Sequence, residues 1–463
     1  MKHKHISQIS AFFIASLCIS SFCFNFTCFR IGGTAIAQTL PLNLERIEIP
    51  SSFNPVGSGA RALGVGGAFI AVADDATAAS WNPGGLIQLG RPEISVVGAF
   101  FHRTEDNDFG TNPEASGDQR VDGKNLNYLS YSHPFTLFRR NMILSLSYQH
   151  LFDFTREWAF PITERTDQTS VVRNFRHTQE GSLSALGLAY CIQMTPKVSF
   201  GFTLNFWRDW LGNNEWEQTT HDTIEGIHHG LNDMFVSEFS TRIRYSFSGF
   251  NVNMGFLWNI SEKLTLGAVF KSPFTADSDY ESEFSSSLRY TESSISDFNS
   301  DTISETRTLD MPMSYGIGMA YRFSDRLTLS ADIHRTEWGD FVLEDSEGNR
   351  ICPISDRPFD ESDIDPVHQF RIGAEYLYFN PAKSKYVIPF RGGLFYDPAP
   401  AEGSPDDFYG FSLGTGIVMG KFVFDLAYQY RFGKDTGSHI LPGLKFSQDI
   451  REHTLYSSLI VHF

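Results

Sequence analysis

Three sets of residues have types and spacing that chemistry could use. Gly57-Ser58-Gly59-Ala60-Arg61-Ala62 matches the dinucleotide fingerprint G-x-G-x-x-G/A letter for letter. That fingerprint works by seating a pyrophosphate on a helix N-terminus directly after a strand, inside a βαβ unit. Here prolines precede the match where the strand should be, and no βαβ unit follows, so no nucleotide cofactor is expected. His221, His228 and His229, near Asp222 and Glu225, carry metal-ligand chemistry, but they fall in a long loop without a tight ligand spacing, so no metal is expected. Asp332 and His334 share one face of a strand, and Asp425 points the same way from another. They are acid–base types, yet no nucleophile can be placed within hydrogen-bond reach of them, and a polar lumen explains them more simply. The chain is not read as an enzyme.

The elements that position these residues are strands. Val198, Phe200, Phe202, Leu204 and Phe206 alternate with Ser199, Gly201, Thr203 and Asn205. Phe422, Phe424, Leu426, Tyr428, Tyr430 and Phe432 alternate with Val423, Asp425, Ala427, Gln429 and Arg431. Successive strand side chains point to opposite faces, so each segment is one piece of a two-sided wall. Fourteen such segments run from 93–102 to 452–463, and many reach the roughly 9–11 residues a tilted strand needs to cross a bilayer. Their connections alternate long and short: loops at 103–125, 155–179, 211–240 and 274–307 face turns at 134–140, 193–196 and 259–262. Outer-membrane barrels have short periplasmic turns and longer outer loops, whereas a soluble sandwich has no reason for that alternation. The fold class expected is all-β, a transmembrane antiparallel barrel of fourteen strands.

The ends of the chain agree. Lys2, His3, Lys4 and His5 precede an apolar run, Ile6 to Phe26, and Ala35-Ile36-Ala37 offers a cleavage site, so 1–37 reads as a signal peptide. Removing Lys2, Lys4 and Arg30 makes a chain of net charge −17 three charges more negative, which disfavours nucleic acid as a partner. The acid is concentrated in the long connections, with eight Asp and Glu against Arg289 and Arg307 between Thr275 and Arg307. Solvated loops account for it, with lipopolysaccharide as the neighbouring outer surface. Only Cys191 and Cys352 follow the leader, and they are placed at opposite ends of the barrel, too far apart for a disulfide. The last strand ends on Phe463 with Val461, Leu459 and Leu455 in phase, which resembles the signal read by the barrel-assembly machinery.

Between leader and wall lies 38–92, and within it Gly57 to Leu86 is half Gly and Ala. Small side chains suit close packing in a lumen already half filled by inward side chains. Asp74 or Asp75 can cap a short helix running to about Trp81, and Asn82 can cap a second turn with Pro83 at its first position. Ala60 to Leu86, with Ala73-Asp74-Asp75-Ala76 and Asn82-Pro83-Gly84, resembles the N-terminal hatch of the FadL/TodX outer-membrane transport family; Gln369 to Tyr378 and Pro389 to Pro398 extend the likeness. The family usually reads Asn-Pro-Ala where this chain has Asn82-Pro83-Gly84, and Gly makes that tip more flexible. The resemblance implies an outer-membrane, multi-pass barrel (93–463) with a lumenal hatch (38–92).

The resemblance also implies passive uptake of hydrophobic small molecules, either long-chain fatty acids or alkyl and aromatic hydrocarbons. The ligand would bind in an apolar lumen pocket and leave sideways as the hatch rearranges. Phe53, Phe69 and Trp81 are the hatch residues placed to touch ligand. In the family the lateral opening is a kink in the third strand, but Asn141 to Phe154 contains neither Gly nor Pro. A phase change between Tyr245-Phe247 and Phe250-Val252 predicts a kink at Ser248-Gly249 in the sixth strand instead. One branch of the superfamily serves protein secretion as a shuttle or scaffold, which is the alternative function. Deleting Gly57–Leu86 is expected to leave a barrel that folds but leaks in planar-bilayer recordings; a deletion that conducts nothing would mean that the loops close the pore.

Overall fold

The computed structural model describes Arg30–Ile31, Thr34–Ala35, Arg46, Ile47, 49–208, 214–379 and 386–463. The chain divides into two units, Met1–Thr39 and Leu40–Phe463. In the first, Arg30–Ile31 pairs antiparallel with Thr34–Ala35, and the rest of the expected leader lies outside the described residues.

The second unit holds a closed antiparallel barrel. Its wall consists of β1 (Glu93–Phe109), β2 (Gly117–Leu137), β3 (Arg140–Asp153), β4 (Thr169–Thr195), β5 (Val198–Trp207), β6 (Gly249–Asn259) and β7 (Leu264–Lys271). It continues through β8 (Ser314–Arg322), β9 (Leu327–Thr336), β10 (Val367–Tyr378), β11 (Tyr386–Tyr396), β12 (Phe408–Met419), β13 (Phe422–Thr436) and β14 (Phe446–His462). β14 pairs with β1 along the whole length of both, so each wall strand has two neighbours. Closure satisfies the strand backbone inside the sheet, which a hydrocarbon environment demands.

The side chains identify that environment. Along β13, Phe422 and Phe424 are 54% and 46% exposed on the outside, while Asp425 is fully buried on the inside. Phe390, Ile372, Ile317 and Leu413 are likewise exposed outward, whereas Arg391, Arg371, Asp332 and Ser412 are buried inward. A wall that exposes Phe and buries Arg and Asp is arranged for lipid outside and a packed polar lumen inside.

The long connections are corrected by the structure. The segments expected as loops at 155–179, 211–240 and 274–307 are mostly strand: Arg156–Arg165, the first half of β4, Glu215–His228, Asp233–Ser246, Phe274–Tyr290 and Ser296–Met311. They pair antiparallel as a collar above the wall, with β4 running through both layers. The expected loop at 103–125 is also strand up to Phe109 and again from Gly117. The collar strands do alternate, burying Trp158, Phe160 and Ile162 on their inner face, but their outer face meets water and so carries no lipid-facing apolar row. Cross-strand ion pairs such as Arg173–Asp222 (3.1 Å) and Arg244–Glu281 (2.8 Å) stand in its place. Phe109, Trp158, Phe160, Ile162 and Phe175 fill the collar's interior.

Residues 49–92 pack against the inward face of the wall. Helix α1 (Ala60–Gly64) begins after Gly59, whose φ of 112° a side chain would resist, and ends in a turn through Gly66 and Gly67 at φ 72° and 75°. Helix α2 (Ala78–Trp81) follows the Asp75 turn, and a 3₁₀ helix spans Pro83–Gln88. What lets this segment fit is a set of inward glycines on the wall. A Cβ on Gly393 would sit 2.3 Å from Gly66 N, one on Gly373 2.2 Å from Val65 O, and one on Gly267 2.5 Å from Ile70 O. At Gly201 it would meet Pro83 O at 2.3 Å, and at Gly255 it would meet Asn82 Oδ1 at 2.1 Å. Backbone lies on backbone at each of these places.

Adding one methyl there forces a chain to move, at a cost of about 1–3 kcal/mol. Gly373→Ala and Gly393→Ala are therefore expected to leave the wall folded, seen as retained heat-modifiable mobility on gels, while making residues 57–86 sensitive to added protease. Equal protease resistance in wild type and variants would contradict the packing.

Candidate functional site

Asp75 and Asn82 build the segment's turns, but helix α2 has Thr77 at its N-cap with no side-chain bond, so neither Asp74 nor Asp75 is the helix cap expected. Asp75 Oδ1 accepts from Thr77 N (2.9 Å) and Thr77 Oγ1 (2.5 Å). Burial pushes the Asp75 carboxyl above the ordinary carboxylate range, a push that Arg61 opposes and Asp74 reinforces. Asn82 Oδ1 accepts from Gly84 N (3.0 Å) with Pro83 first in the turn, and Asn82 Nδ2 donates to Ile70 O (2.8 Å) and Phe256 O (3.0 Å). Asn82 thereby ties two parts of the segment to β6. Gly84 O accepts from Ser199 Oγ (2.7 Å), fixing the tip to β5.

Charges hold the opposite side. Arg61 pairs with Asp74 and reaches Glu375 Oε1 at 3.0 Å; Glu375 Oε2 accepts from Arg391 (2.6 Å), which also donates to Asp425 (2.6 Å). The order −+−+− crosses from the segment to β10, β11 and β13, so each buried charge has a partner of opposite sign. Asp332 Oδ2 accepts from Ile70 N (2.8 Å), while the His334 ring nitrogens have no hydrogen-bond partner among the described residues. Asp332, His334 and Asp425 thus serve three different places and form no acid–base set.

Above the helices, Ser51–Gly57 crosses the lumen as a strap. Ser52 Oγ donates to Asp397 (2.7 Å), and Asn54 Nδ2 donates to Pro398 O (2.8 Å). Trp338 Nε1 donates to Asn54 Oδ1 (2.8 Å), and Lys271 Nζ to Pro55 O (3.2 Å) and Val56 O (2.9 Å). The strap separates two cavities. The first, about 90 Å³, is walled by Phe53, Phe152, Trp207, Phe274, Met311 and Trp338 on its apolar part, and by polar side chains that include Gln149, Asn205, Asn251, Asn253, Lys271 and His334. Phe53 meets Trp338 edge to face at 5.6 Å, and Trp207 stacks on Phe274 at 5.8 Å. The second, about 130 Å³, is lined by Arg103, Asp153, Arg371, Asp397, Arg431 and Glu452, with Trp81 also on its lining.

Of the three aromatic candidates, Phe53 lines the aromatic cavity and Trp81 the charged one. Phe69 lines neither: it is fully buried against Trp81 at 5.9 Å, beneath α1. At the expected kink, Asp233–Ser246 ends, Ser248 bridges Asp277, and Gly249 opens β6 against Trp207. The ladder changes partners there, from collar to wall. In the third strand the ladder to β4 shifts register between His150 and Phe152, so Leu151 projects toward both cavities. Cys191 and Cys352 are both free and buried. His221 and His228 lie on a collar strand, and no group of three metal-ligating side chains occurs among the described residues.

The residues that sequence reasoning missed are Trp207, Trp338, Phe274, Lys271 and Asp397, which come from β5, the 3₁₀ turn after β9, a collar strand, β7 and the residue just past β11, and meet only in three dimensions. One signal was available for the lumen: Gly255, Gly267, Gly373, Gly393 and Gly414 all fall in the inward phase of their strands.

The model of the family described as outer membrane protein transport protein (OMPP1/FadL/TodX) matches residues 54–439. No curated protein sequence matches the chain. Among solved structures, the toluene transporter TodX of Pseudomonas putida aligns at TM-score 0.55 and 16% identity, covering 88% of this chain and 98% of its own. The toluene transporter TbuX of Ralstonia pickettii (TM-score 0.47, 13% identity, 89% and 100% covered) and the CymD monoaromatic hydrocarbon channel (0.49, 14%, 89% and 99%) also align.

Glu375→Gln removes the charge shared by Arg61 and Arg391 while Asp74 and Asp425 remain. It is expected to cost about 2 kcal/mol, read as a lower thermal unfolding midpoint of the purified barrel and faster tryptic cleavage at Arg61.

Proposed function

Because the chain belongs to the OMPP1/FadL/TodX family of outer membrane transport proteins, we propose that this outer-membrane barrel takes up small hydrophobic molecules of single-ring size through the aromatic cavity beside the strap. The family is one of transporters of hydrophobic compounds, and no catalytic role is invoked here. The observation that carries the substrate class is the cavity itself. Five aromatic rings, Phe53, Phe152, Trp207, Phe274 and Trp338, line it together with polar side chains that include Asn251, Asn253, Lys271 and His334, so a flat ring finds aromatic faces in a pocket of otherwise mixed character. An apolar cavity of roughly 150 Å³ holds one benzene, so a cavity of about 90 Å³ needs only a modest displacement of Phe53 to take a monoaromatic ring. A long acyl chain would require the whole strap to leave. The alignment with a toluene transporter supports the same size class.

Residues 38–92 then act as the hatch. Asp74, Asp75, Asn82, Pro83 and Gly84 shape it, and the Lys271 bonds to Pro55 O and Val56 O are the ties nearest the ligand. A ligand wedged between Phe53 and Trp338 strains those ties first, which couples occupancy to release. Whether exit is axial or through the wall at Leu151 or Ser248-Gly249 follows from which ties yield. The secretion-scaffold alternative is not favoured by the comparisons.

The test is binding of toluene and of oleate to the purified barrel, followed by Trp fluorescence, with uptake of labelled toluene by proteoliposomes. Toluene is expected to bind and cross, and Phe274→Ala to weaken binding roughly tenfold, the worth of one aromatic contact with its buried area. Binding of oleate without toluene would overturn the single-ring reading; binding of neither would overturn the transport of apolar solutes.

A further inference from the structure

The lipid-facing wall carries a groove that the lumen does not use. On β9, β10 and β11 the outward residues Ala331, Ala374 and Gly392 are small, between neighbours Ile372, Leu394 and Leu413 that are 54–58% exposed. A Cβ on Gly392 would meet nothing closer than 3.8 Å, so the floor is open. The depression measures about 1040 Å³ and runs on into a second of about 720 Å³, with which it shares Met319, Ala331, Ile372 and Leu394. At its lower end stand Tyr321 and Phe323, edge to face at 4.6 Å, beside the short turn between β8 and β9.

That turn exposes Arg322 and Arg326, with Asp325 between them. Arg326 is held in place: its guanidinium carbon lies 5.1 Å over the Phe379 ring, and Nη2 donates to Phe379 O at 3.3 Å. The neighbouring turns repeat the sign. Arg139, Arg140, Lys197, Lys263 and Lys421 are exposed at the other described short turns, against Glu262 alone. A chain of net charge −17 is thus basic at its short-turn end, where aromatic side chains mark the level of lipid headgroups.

We propose that this groove is a site for an anionic phospholipid of the inner leaflet, with its acyl chain over Ala331, Ala374 and Gly392 and its phosphate at Arg322 and Arg326. The apolar length accounts for the chain and the cations at one end account for the head. A second copy of the barrel would bring Arg322 and Arg326 against its own cationic turns, so charge complementarity favours lipid.

The test is native mass spectrometry of the full detergent-purified chain offered equal amounts of phosphatidylglycerol and phosphatidylcholine with identical acyl chains. Wild type is expected to retain phosphatidylglycerol in preference. R322E/R326E is expected to lose the preference, since a surface cation is worth about fivefold in anionic-lipid binding. Ala374→Trp, which fills the groove, is expected to reduce retention of both lipids several-fold, with heat-modifiable mobility and uptake of apolar solute unchanged. Equal retention of the two lipids by wild type, or an unchanged preference in R322E/R326E, overturns the headgroup assignment. Unchanged retention in Ala374→Trp overturns the groove, and a dimer cross-linked through Ala374→Cys overturns lipid as its occupant.

Discussion

Backbone-to-backbone contact between the inner segment and the wall is the constraint on which the rest of this structure depends. A fourteen-stranded lumen is narrow once inward side chains occupy it, and a polypeptide can share it only where those side chains are missing. Gly201, Gly255, Gly267, Gly373 and Gly393 clear that space on five strands, and Gly64 and Gly66 answer them from the segment. The polar groups exposed by so close an approach are satisfied across the gap, as in Gly66 N to Ser412 Oγ and Ile70 N to Asp332. Burying them unpaired would cost more than the packing contributes.

The division of the lumen follows from that arrangement. Once α1 and α2 are pressed to the wall, the chain leading to them must cross open space, and it does so as the strap Ser51–Gly57. Its anchors are polar on one flank, at Asp397 and Pro398, and lie beside Trp338 and Lys271 on the other. The cavities on its two sides therefore differ in chemistry: one has arginines and carboxylates in balance, the other aromatic rings. An apolar ring is favoured in the second because aromatic faces line it and its one cationic side chain, Lys271, is already bonded to Pro55 O and Val56 O. The Asp74–Arg61–Glu375–Arg391–Asp425 chain keeps the helices in place with charges that are each compensated and that the strap does not supply, whereas a shift of the strap would release Lys271 from Pro55 O and Val56 O.

Charge along the barrel axis has its own logic. The collar carries the acid in paired strands whose outer face meets water and whose inner face packs on Phe109, Trp158, Phe160 and Phe175, and the short turns carry the base next to lipid. Neither distribution is needed for folding. Both are legible as surfaces adapted to what touches them.

Much of the architecture was legible in the amino-acid order. Period-2 alternation at Val198–Phe206 and Lys421–Phe432 reports a wall whose two sides meet different solvents, and that contrast exists only where lipid lies outside. The same reasoning explains what was not legible. At Glu215–His228 and Phe274–Tyr290 the inward row mixes Trp216, Ile224, Tyr280 and Phe284 with Gln218, Asp222, Ser278 and Ser282, so no continuous apolar stripe marks these collar strands and they look like loops. Asn82 announces its turn because its cap is a contact between residues two apart, whereas the helix after Asp75 starts at Thr77 without a side-chain cap. Phe53, Trp207, Phe274 and Trp338 announce nothing, because their meeting depends on closure of the barrel and on the path of the strap between distant strands. By itself, then, the sequence determined the alternating wall, the small-residue segment and its local turns, since each is a short-range consequence of residue type. Only the tertiary structure decided which glycines face which backbone and which rings enclose a cavity, since those depend on register around a closed sheet.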